Sequence, residues 1–367
     1  MKKILLATGA FVAVAALGLT GCASDSSRGG DAGSDSGSGF AADSLVGVAL
    51  PDKTSENWVL AGGLFEDGLK EAGFKGDVQY AGASNAVADQ QQQISTMVTN
   101  GAKVIIIGAK DGAQLGTQVQ EAKDAGAVVI AYDRLILNSD AVDYYVAFDN
   151  FKVGQLQGQA LLDGLAAKFP DKKSYNIELF SGSSDDANAP VFFDGAMDVL
   201  QPKIDDGTLV VVSGQTDIKQ TATDGWKPEN AQKRMDTLMQ GFYQGGTAVD
   251  GVLSPNDTLA RAIITSVQGA GQADLPIVTG QDSEAASIPL IMSGQQYSTI
   301  YKDTRELVKT AIEMAGDLQK GDKPDTTTKT DNGNVDVATL YLEPVIVTKE
   351  NAAEAYANNP ELEALTK

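Results

Sequence analysis

The chain has 367 residues, of which 43% are apolar and 21% charged, a composition typical of a folded protein with room for two globular units. Its complete lack of histidine and its single cysteine exclude a Ser-His-Asp triad, an imidazole metal site, a zinc cluster and a disulfide framework. The formal net charge of -21 argues against nucleic acid as a partner.

The N-terminal residues predict an export signal with a lipid attachment site. "MKK" gives a positive start, an apolar stretch follows, and "LTGC" resembles the lipobox of bacterial lipoproteins. We predict a signal peptide over residues 1–21 and an acyl chain on Cys22, which would anchor the protein outside the cytoplasmic membrane, at the cell surface or in a periplasm. A transmembrane anchor is the alternative, because Ile4 to Gly21 is nearly long enough to span a bilayer. The Gly-, Ser- and Asp-rich residues 22–43 predict a flexible tether.

From residue 45 onward, short apolar runs alternate with longer segments of helical period. The first series of predicted strands is LVGVAL (45–50), DVQYA (77–81), KVIIIG (103–108), VVIAYD (128–133) and YYVAFD (144–149). The second series is YNIELFSG (175–182), LVVVSGQ (209–215), GVLSPND (251–257), PIVTGQD (276–282) and STIYKD (298–303). Continuous apolar runs indicate strands covered on both faces, and strand-helix-strand alternation indicates parallel sheets. The predicted fold class is α/β, with two doubly wound domains.

Polar side chains collect where these strands end. They are Asp111, Asp133-Arg134, Asp149-Asn150, Asp185 to Asn188, Asn256-Asp257, Gln281-Asp282 and Tyr301 to Asp303. Each could simply cap the helix that follows. However, ligands of open parallel sheets bind beyond the carboxyl ends of the strands, and a mixture of acids, amides and cations suits a polyhydroxyl ligand, whose hydroxyls both donate and accept.

Two tryptophans, Trp58 and Trp226, follow predicted strands at the start of a helix, one in each half of the chain. A core position is the ordinary explanation for a tryptophan, and it stays open here. The alternative is a pair of aromatic plates with a ligand between them, because a flat apolar ring complements the C–H face of a sugar.

Several long motifs, in unbroken order between residues 45 and 350, resemble the periplasmic sugar-binding proteins of ABC transporters. They are VIAYDRLI, YYVAFDNFKVGQLQ, IELFSGSSDDANA, FFDGAMDVL, DGWKPENAQKRMD, LSPNDTLA, TGQDSEA and YSTIYKDTREL. The most similar branch contains the xylose-binding protein and the multiple-monosaccharide receptor. The resemblance implies a type I periplasmic-binding fold, in which two doubly wound lobes, joined by a three-crossing hinge, close a cleft over the ligand. It implies residues 44–148 and 303–332 for lobe 1, residues 149–302 and 333–350 for lobe 2, and a C-terminal tail over 351–367, where we predict a surface helix.

The resemblance also implies which residues contact the ligand. From the first lobe they are Trp58, Asp111, Asp133 and Arg134; from the second lobe and the hinge they are Asn188, Trp226, Asn256, Asp282 and Lys302. Asp133 and Arg134 are expected to bind the sugar and to balance each other's charge. Two positions depart from the family pattern, with Asn57 in place of arginine and Ala187 in place of asparagine. The loss of the arginine weakens the case for an acidic sugar.

The implied function is capture of one monosaccharide, an aldopentose or aldohexose such as xylose, glucose or galactose, and its delivery to an ABC permease. We expect a monomer without a cofactor, and no enzyme, because the chain has neither a P-loop nor a dinucleotide glycine motif. A sugar-responsive repressor would begin with a basic helix-turn-helix in place of the acidic tether. A sensory role, in which the closed form contacts a membrane receptor, stays open as the alternative.

Overall fold

The computed structural model describes residues 39–53 and 55–367. The predicted signal peptide, Cys22 and the tether up to residue 38 lie outside these residues. Within the described ranges, none of the helices is both long and apolar enough to cross a bilayer. Phe40 lies inside the predicted tether, yet its ring packs 6.5 Å from that of Phe74, between centroids. The packed body therefore includes the end of the segment that we predicted to be tether.

The first lobe is built on a seven-stranded sheet with helices on both faces. Its N-terminal elements are β1 (Leu45–Leu50), α1 (Glu56–Glu71), β2 (Lys75–Tyr80), α2 (Ala86–Thr99), β3 (Val104–Ile107), α3 (Gly116–Asp124), β4 (Val128–Tyr132) and β5 (Tyr144–Phe148). These five strands are parallel, in the order β5-β4-β3-β1-β2. Successive residues of β3 face opposite cores, with Val104 and Ile106 toward α1 and Ile105 and Ile107 toward α2 and α3. This double burial explains the continuous apolar run.

The second lobe repeats the plan with a smaller sheet. Its elements are α4 (Asn150–Lys168), β6 (Tyr175–Leu179), α5 (Asn188–Asp205), β7 (Leu209–Val211), α6 (Ile218–Thr221), α7 (Pro228–Phe242), β8 (Gly251–Leu253), α8 (Asp257–Gly269), β9 (Ile277–Val278), α9 (Ile288–Ser293) and β10 (Ser298–Tyr301). Four parallel strands form the sheet, in the order β7-β6-β8-β9. Val252 of β8 packs with α7 and α8, and Leu253 packs with α4 and α5.

The remaining elements complete both lobes. They are α10 (Thr304–Lys320), β11 (Thr328–Asp331), β12 (Asp336–Leu342), β13 (Val345–Thr348), α11 (Ala352–Ala355) and α12 (Pro360–Ala364). The first lobe takes up α10, through Leu307 and Val308 in its core, together with β11 and β12. The chain passes between the lobes after β5, after β10 and after β12, so three segments form the hinge.

Two predicted assignments around the hinge need correction. Residues 333–350 were assigned to the second lobe, but the part of this range that forms β12 pairs in parallel with β5 and so belongs to the first-lobe sheet, whereas β13 pairs with β10 instead. STIYKD was predicted as a strand of a parallel sheet, whereas β10 pairs antiparallel with β13 in a separate two-stranded ribbon. In both cases the partner strand is far away along the chain, and no local pattern specifies it.

The C-terminal tail does more than cover the surface. Instead of one surface helix it forms α11 and α12, and Tyr356 between them is fully buried. The Tyr356 hydroxyl donates to Ser283 Oγ at 2.8 Å, and its ring meets that of Tyr301 edge to face, with the centroids 5.1 Å apart. The tail is therefore packed against the hinge strand β10 and the loop after β9.

Candidate functional site

The carboxyl ends of the strands from both lobes meet at one cavity between the lobes. The space measures about 700 Å³ with its open mouth and the adjoining solvent included. From the first lobe, Trp58, Asp133 and Arg134 line it. From the second lobe and the hinge, Asn188, Trp226, Asn256, Asp282 and Lys302 line it. All the predicted ligand residues except Asp111 are thus brought to one place.

Asp111 follows β3 but does not line this cavity. Its carboxylate accepts from the backbone N–H of Ala113 at 3.0 Å and from the side-chain amide of Gln114. These bonds cap the short 3-10 helix Gly112–Gln114. The structure therefore favours the capping explanation over a ligand role for Asp111.

The lobes touch across the cavity, which is the closed arrangement. The Nδ2 of Asn188 donates to the carbonyl oxygen of Asp133 in the other lobe at 2.9 Å. The Nδ2 of Asn57 donates to the carbonyl oxygen of Asp282 at 3.2 Å. Asn57, which stands where an arginine was expected, thus bonds to the backbone of the opposite lobe.

Arg134 also bridges the lobes, and its ion-pair partner is Asp186, not Asp133. Its Nε lies 3.0 Å from Asp186 Oδ2, and both side chains are largely buried. Its Nη1 donates to the carbonyl oxygen of Ala109 at 3.3 Å, and its guanidinium lies 5.3 Å from the centre of the Trp58 ring. Arg134 still lowers the pKa of Asp133 through its charge, as expected, but its direct ion pair is made across the cleft with Asp186.

Lys302, in the second hinge segment, lies among three carboxylates. Its Nζ is 2.9 Å from Asp282 Oδ1. Burial alone would lower the pKa of Lys302, but Asp282, Asp133 and Asp186 outweigh burial and raise it. Burial raises the pKa of Asp133, and the nearby Lys302 and Arg134 oppose this only in part. Ionised Asp133 is therefore held in the site at a cost to the fold.

The two tryptophans occupy related positions in the two lobes. Each lies against a glycine just past the end of a strand: a Cβ added to Gly108 would come within 2.9 Å of the Trp58 ring, and one added to Gly182 within 2.3 Å of the Trp226 ring. Trp226 Nε1 donates to Asp186 Oδ2 at 3.0 Å. The absence of a side chain at each glycine leaves room for the ring that lines the cavity.

Backbone strain is concentrated at this cavity. Asp133, Trp226 and Asp282 have φ of 62°, 56° and 92°, in the left-handed region that few non-glycine residues adopt. Such conformations cost about 1–3 kcal/mol each and persist where the surrounding structure imposes them. Three strained residues that all line the cavity support a functional role for it.

Among the lining residues that were not predicted as ligand contacts, two buried polar side chains stand out, Asp186 and Gln281. Asp186 accepts from Trp226 and pairs with Arg134, and so connects the two lobes. Gln281 is 1% exposed, and its Oε1 has no hydrogen-bond partner among the described residues. Both belong to polar clusters that the sequence analysis identified at strand ends. However, no feature of the sequence distinguished them from their neighbours as residues of the site. Ala187, the second departure from the family pattern, packs against the core of the opposite lobe.

The fold and the cavity define a class of protein: two hinged lobes that close on a small polar ligand. In the described part of the chain, no group of three or more acidic or cysteine side chains could hold a metal ion. A family model described as the periplasmic binding protein domain matches residues 46–323. The chain belongs to this family, whose members are binding proteins and not enzymes.

Individual relatives agree with this assignment. The multiple sugar-binding periplasmic receptor ChvE of Rhizobium radiobacter is 49% identical over 319 residues, which cover 85% of this chain and 89% of the receptor. The D-xylose-binding periplasmic protein of Escherichia coli strain K12 is 35% identical over 306 residues, 83% of this chain and 87% of that protein. An ABC transporter solute-binding protein from Clostridium phytofermentans, solved with bound β-D-glucose, gives a TM-score of 0.83 at 40% identity, covering 88% of this chain and 100% of that one.

Proposed function

We propose that the protein captures one neutral monosaccharide, an aldopentose or aldohexose, outside the cytoplasm and delivers it to an ABC permease. The observation that carries this proposal is the cavity itself, where two aromatic rings stand beside donors and acceptors from both lobes. The relatives support a monosaccharide as the ligand, because they include a multiple sugar-binding receptor, a xylose-binding protein and a glucose-bound structure.

The charges in the cavity favour a neutral sugar over an acidic one. Sugar hydroxyls can donate to the carboxylates of Asp133, Asp186 and Asp282, and can accept from Arg134 and Lys302. Since three carboxylates face two cations, an added carboxylate or phosphate on the ligand would meet net repulsion. The Oε1 of Gln281, without a partner among the described side chains and backbone, offers one more acceptor, and a hydroxyl bonded there would remove the cost of leaving it unpaired.

Closure follows from contacts made with both lobes at once. A ligand bound to one lobe only has no differential affinity for the closed form, whereas a sugar that touches both lobes stabilises that form. The closed protein would then dock on the permease, which opens it and takes up the sugar. We further propose that the acyl chain on Cys22 and the tether, which lie outside the described residues, keep the lobes near that permease.

Thermal unfolding with added sugars tests the proposal. Xylose, glucose, galactose, arabinose and ribose are titrated to millimolar concentrations. A ligand of the native state stabilises it by about 2.7 kcal/mol at a hundred times its Kd, so one or a few of these sugars should raise the Tm with the logarithm of concentration. Glucuronate, which differs from glucose by a carboxylate, is the matched control and should give no shift. Flat curves for all five neutral aldoses would refute a neutral aldose as the ligand.

Gly182→Ala should weaken sugar binding with a smaller effect on the fold. The new Cβ would lie 2.3 Å from Cζ2 of Trp226, so the ring must leave its place at the cavity wall. The displaced ring loses its contact with the sugar, and we expect the affinity to fall roughly tenfold or more, about 1.4 kcal/mol or above. The measurement is calorimetric titration with the sugar that gives the largest thermal shift.

Gly241→Ala is the control for this variant, because a Cβ there meets nothing within 4 Å and the residue lies on a helix of the same lobe. It should bind like the wild type. Unchanged affinity in Gly182→Ala would show that the position of the Trp226 ring does not matter to the ligand.

A further inference from the structure

The loop after β9 makes a tight turn over residues 282–285 at the edge of the cleft. Asp282 and Ser283 have φ of 92° and 50°, both in the left-handed region. The backbone amides of residues 283, 284 and 285 take no part in a helix or strand ladder, so each needs an acceptor from elsewhere. Side-chain oxygens from three different elements supply them.

Two of the three amides are satisfied inside the second lobe. The Ser283 N–H donates to Thr299 Oγ1 at 3.1 Å, and the Glu284 N–H donates to Oδ2 of buried Asp257 at 3.0 Å. In addition, the Tyr356 hydroxyl donates to the side-chain oxygen of Ser283. These bonds fix the turn within its own lobe, and so they also fix the direction of the next N–H group.

The third amide is satisfied from the other lobe. The Ala285 N–H donates to Oε2 of Glu56, the first residue of α1, at 3.0 Å. We call this interaction the closure bond. Neither Glu56 nor Ala285 lines the sugar cavity, so the closure bond involves no ligand atom. Because its two partners belong to different lobes, it exists only while the lobes are together.

We propose that Glu56 is a positioning residue that holds the closed form and slows the release of the ligand without touching it. The inference rests on the proposed function for its kinetic consequence. A bond present in the closed form and absent in the open one shifts the equilibrium toward closure. Since it lies outside the cavity, it changes the residence time of every sugar by the same factor and leaves selectivity unchanged.

Release kinetics test this role. Stopped-flow release of D-glucose and of D-xylose is measured for the wild type and for Glu56→Ala. We expect koff to rise roughly fivefold to tenfold, by one common factor for both sugars. Glu56→Gln keeps an acceptor oxygen without the charge, and its koff should lie between the values for the wild type and Glu56→Ala. Glu66→Ala removes the same charge from the same helix and should match the wild type. Unchanged koff in Glu56→Ala, or a change for one sugar only, would overturn the proposal.

Amide hydrogen exchange, followed by NMR with the sugar bound at saturation, tests the closure bond by a readout other than the release rate. In Glu56→Ala the Ala285 amide should exchange faster than in the wild type. The amides of Ser283 and Glu284 should keep their protection, because their acceptors lie in the second lobe. If neither sugar binds the wild type, the proposed function fails and the kinetic role of Glu56 fails with it; if a sugar binds and the Ala285 amide exchanges at equal rates in both saturated proteins, the closure bond alone is overturned.

Discussion

Arg134→Ala is expected to weaken sugar binding roughly hundred- to thousandfold, since removal of one partner of a buried ion pair costs about 3–5 kcal/mol. Arg134 reaches from the first lobe to Asp186 of the second, with 3.0 Å between Nε and Oδ2. Without Arg134, the closed form would hold Asp186 desolvated and without its ion-pair partner. In the open form water can hydrate Asp186. The desolvation cost therefore arises only when the lobes close, and it makes the free energy of closure, and with it the sugar affinity, less favourable.

A double-mutant cycle isolates this pair. Asp186→Asn and the double variant Arg134→Ala/Asp186→Asn are titrated with the same sugar by calorimetry. The double variant should bind better than the sum of the two single losses predicts, because the charge that Arg134→Ala leaves unpaired is gone. Strictly additive losses would mean that the two side chains act independently, and the bridging role of Arg134 would have to be abandoned.

Lys302→Met is expected to lower both sugar affinity and thermal stability at neutral pH. Burial alone would lower the pKa of Lys302, but Asp282, Asp133 and Asp186 raise it above the ordinary lysine value. A raised folded-state pKa means that the lysine contributes stability in full below its unfolded pKa and loses it only as pH rises through the folded value. At neutral pH the contribution is therefore complete, and methionine removes it.

The pH dependence of this variant has a definite sign. Without Lys302 the pKa of Asp133, which burial already raises, should rise further. A carboxyl with a raised folded pKa destabilises the fold when ionised, and the penalty disappears as it becomes protonated. The Tm difference between Lys302→Met and wild type should therefore narrow on going from about pH 8 to pH 5. Lys302→Arg keeps the charge, so its Tm difference from the wild type should change little with pH. A Tm difference for Lys302→Met that stays constant between about pH 8 and pH 5 would contradict the electrostatic explanation.

The layered α/β architecture could be predicted because the strands are continuous apolar runs, and such runs indicate burial on both faces. Val104–Ile107 is apolar on both faces, and so the run is continuous. β12 could not be placed in the same way. Its residues, DVATLYL, mix polar and apolar side chains, and its partner β5 lies far earlier in the chain. Which lobe a strand joins across such a distance depends on the packing of the whole lobe, which no local pattern expresses.

The site shows the same limit at the level of single side chains. Asp111 and Asp133 both follow a buried strand. Because ligands bind beyond the carboxyl ends of parallel strands, both were predicted equally as ligand contacts. The backbone separates them: φ is -138° at Asp111, whose carboxylate turns onto its own helix, and 62° at Asp133, which lines the cavity. Likewise, Asp133 and Arg134 are neighbours in sequence, yet Arg134 finds its partner in the other lobe. The sequence position of a long side chain therefore does not predict which charged group it will contact.

The discontinuous first lobe also constrains the order in which the chain can acquire its structure. Leu307 and Val308 share a core with Val46 and Phe65, and β12 covers the edge of β5. When synthesis has passed β10, every strand of the four-stranded sheet has been made, whereas the lobe that was begun first still lacks α10 and one side of its sheet. The seven-stranded sheet, although it is begun first, is therefore completed after the four-stranded sheet, and the contacts of β13 and Tyr356 with the second lobe form last. A nascent chain cannot complete the cleft, and so cannot trap a sugar, until residue 342 has emerged.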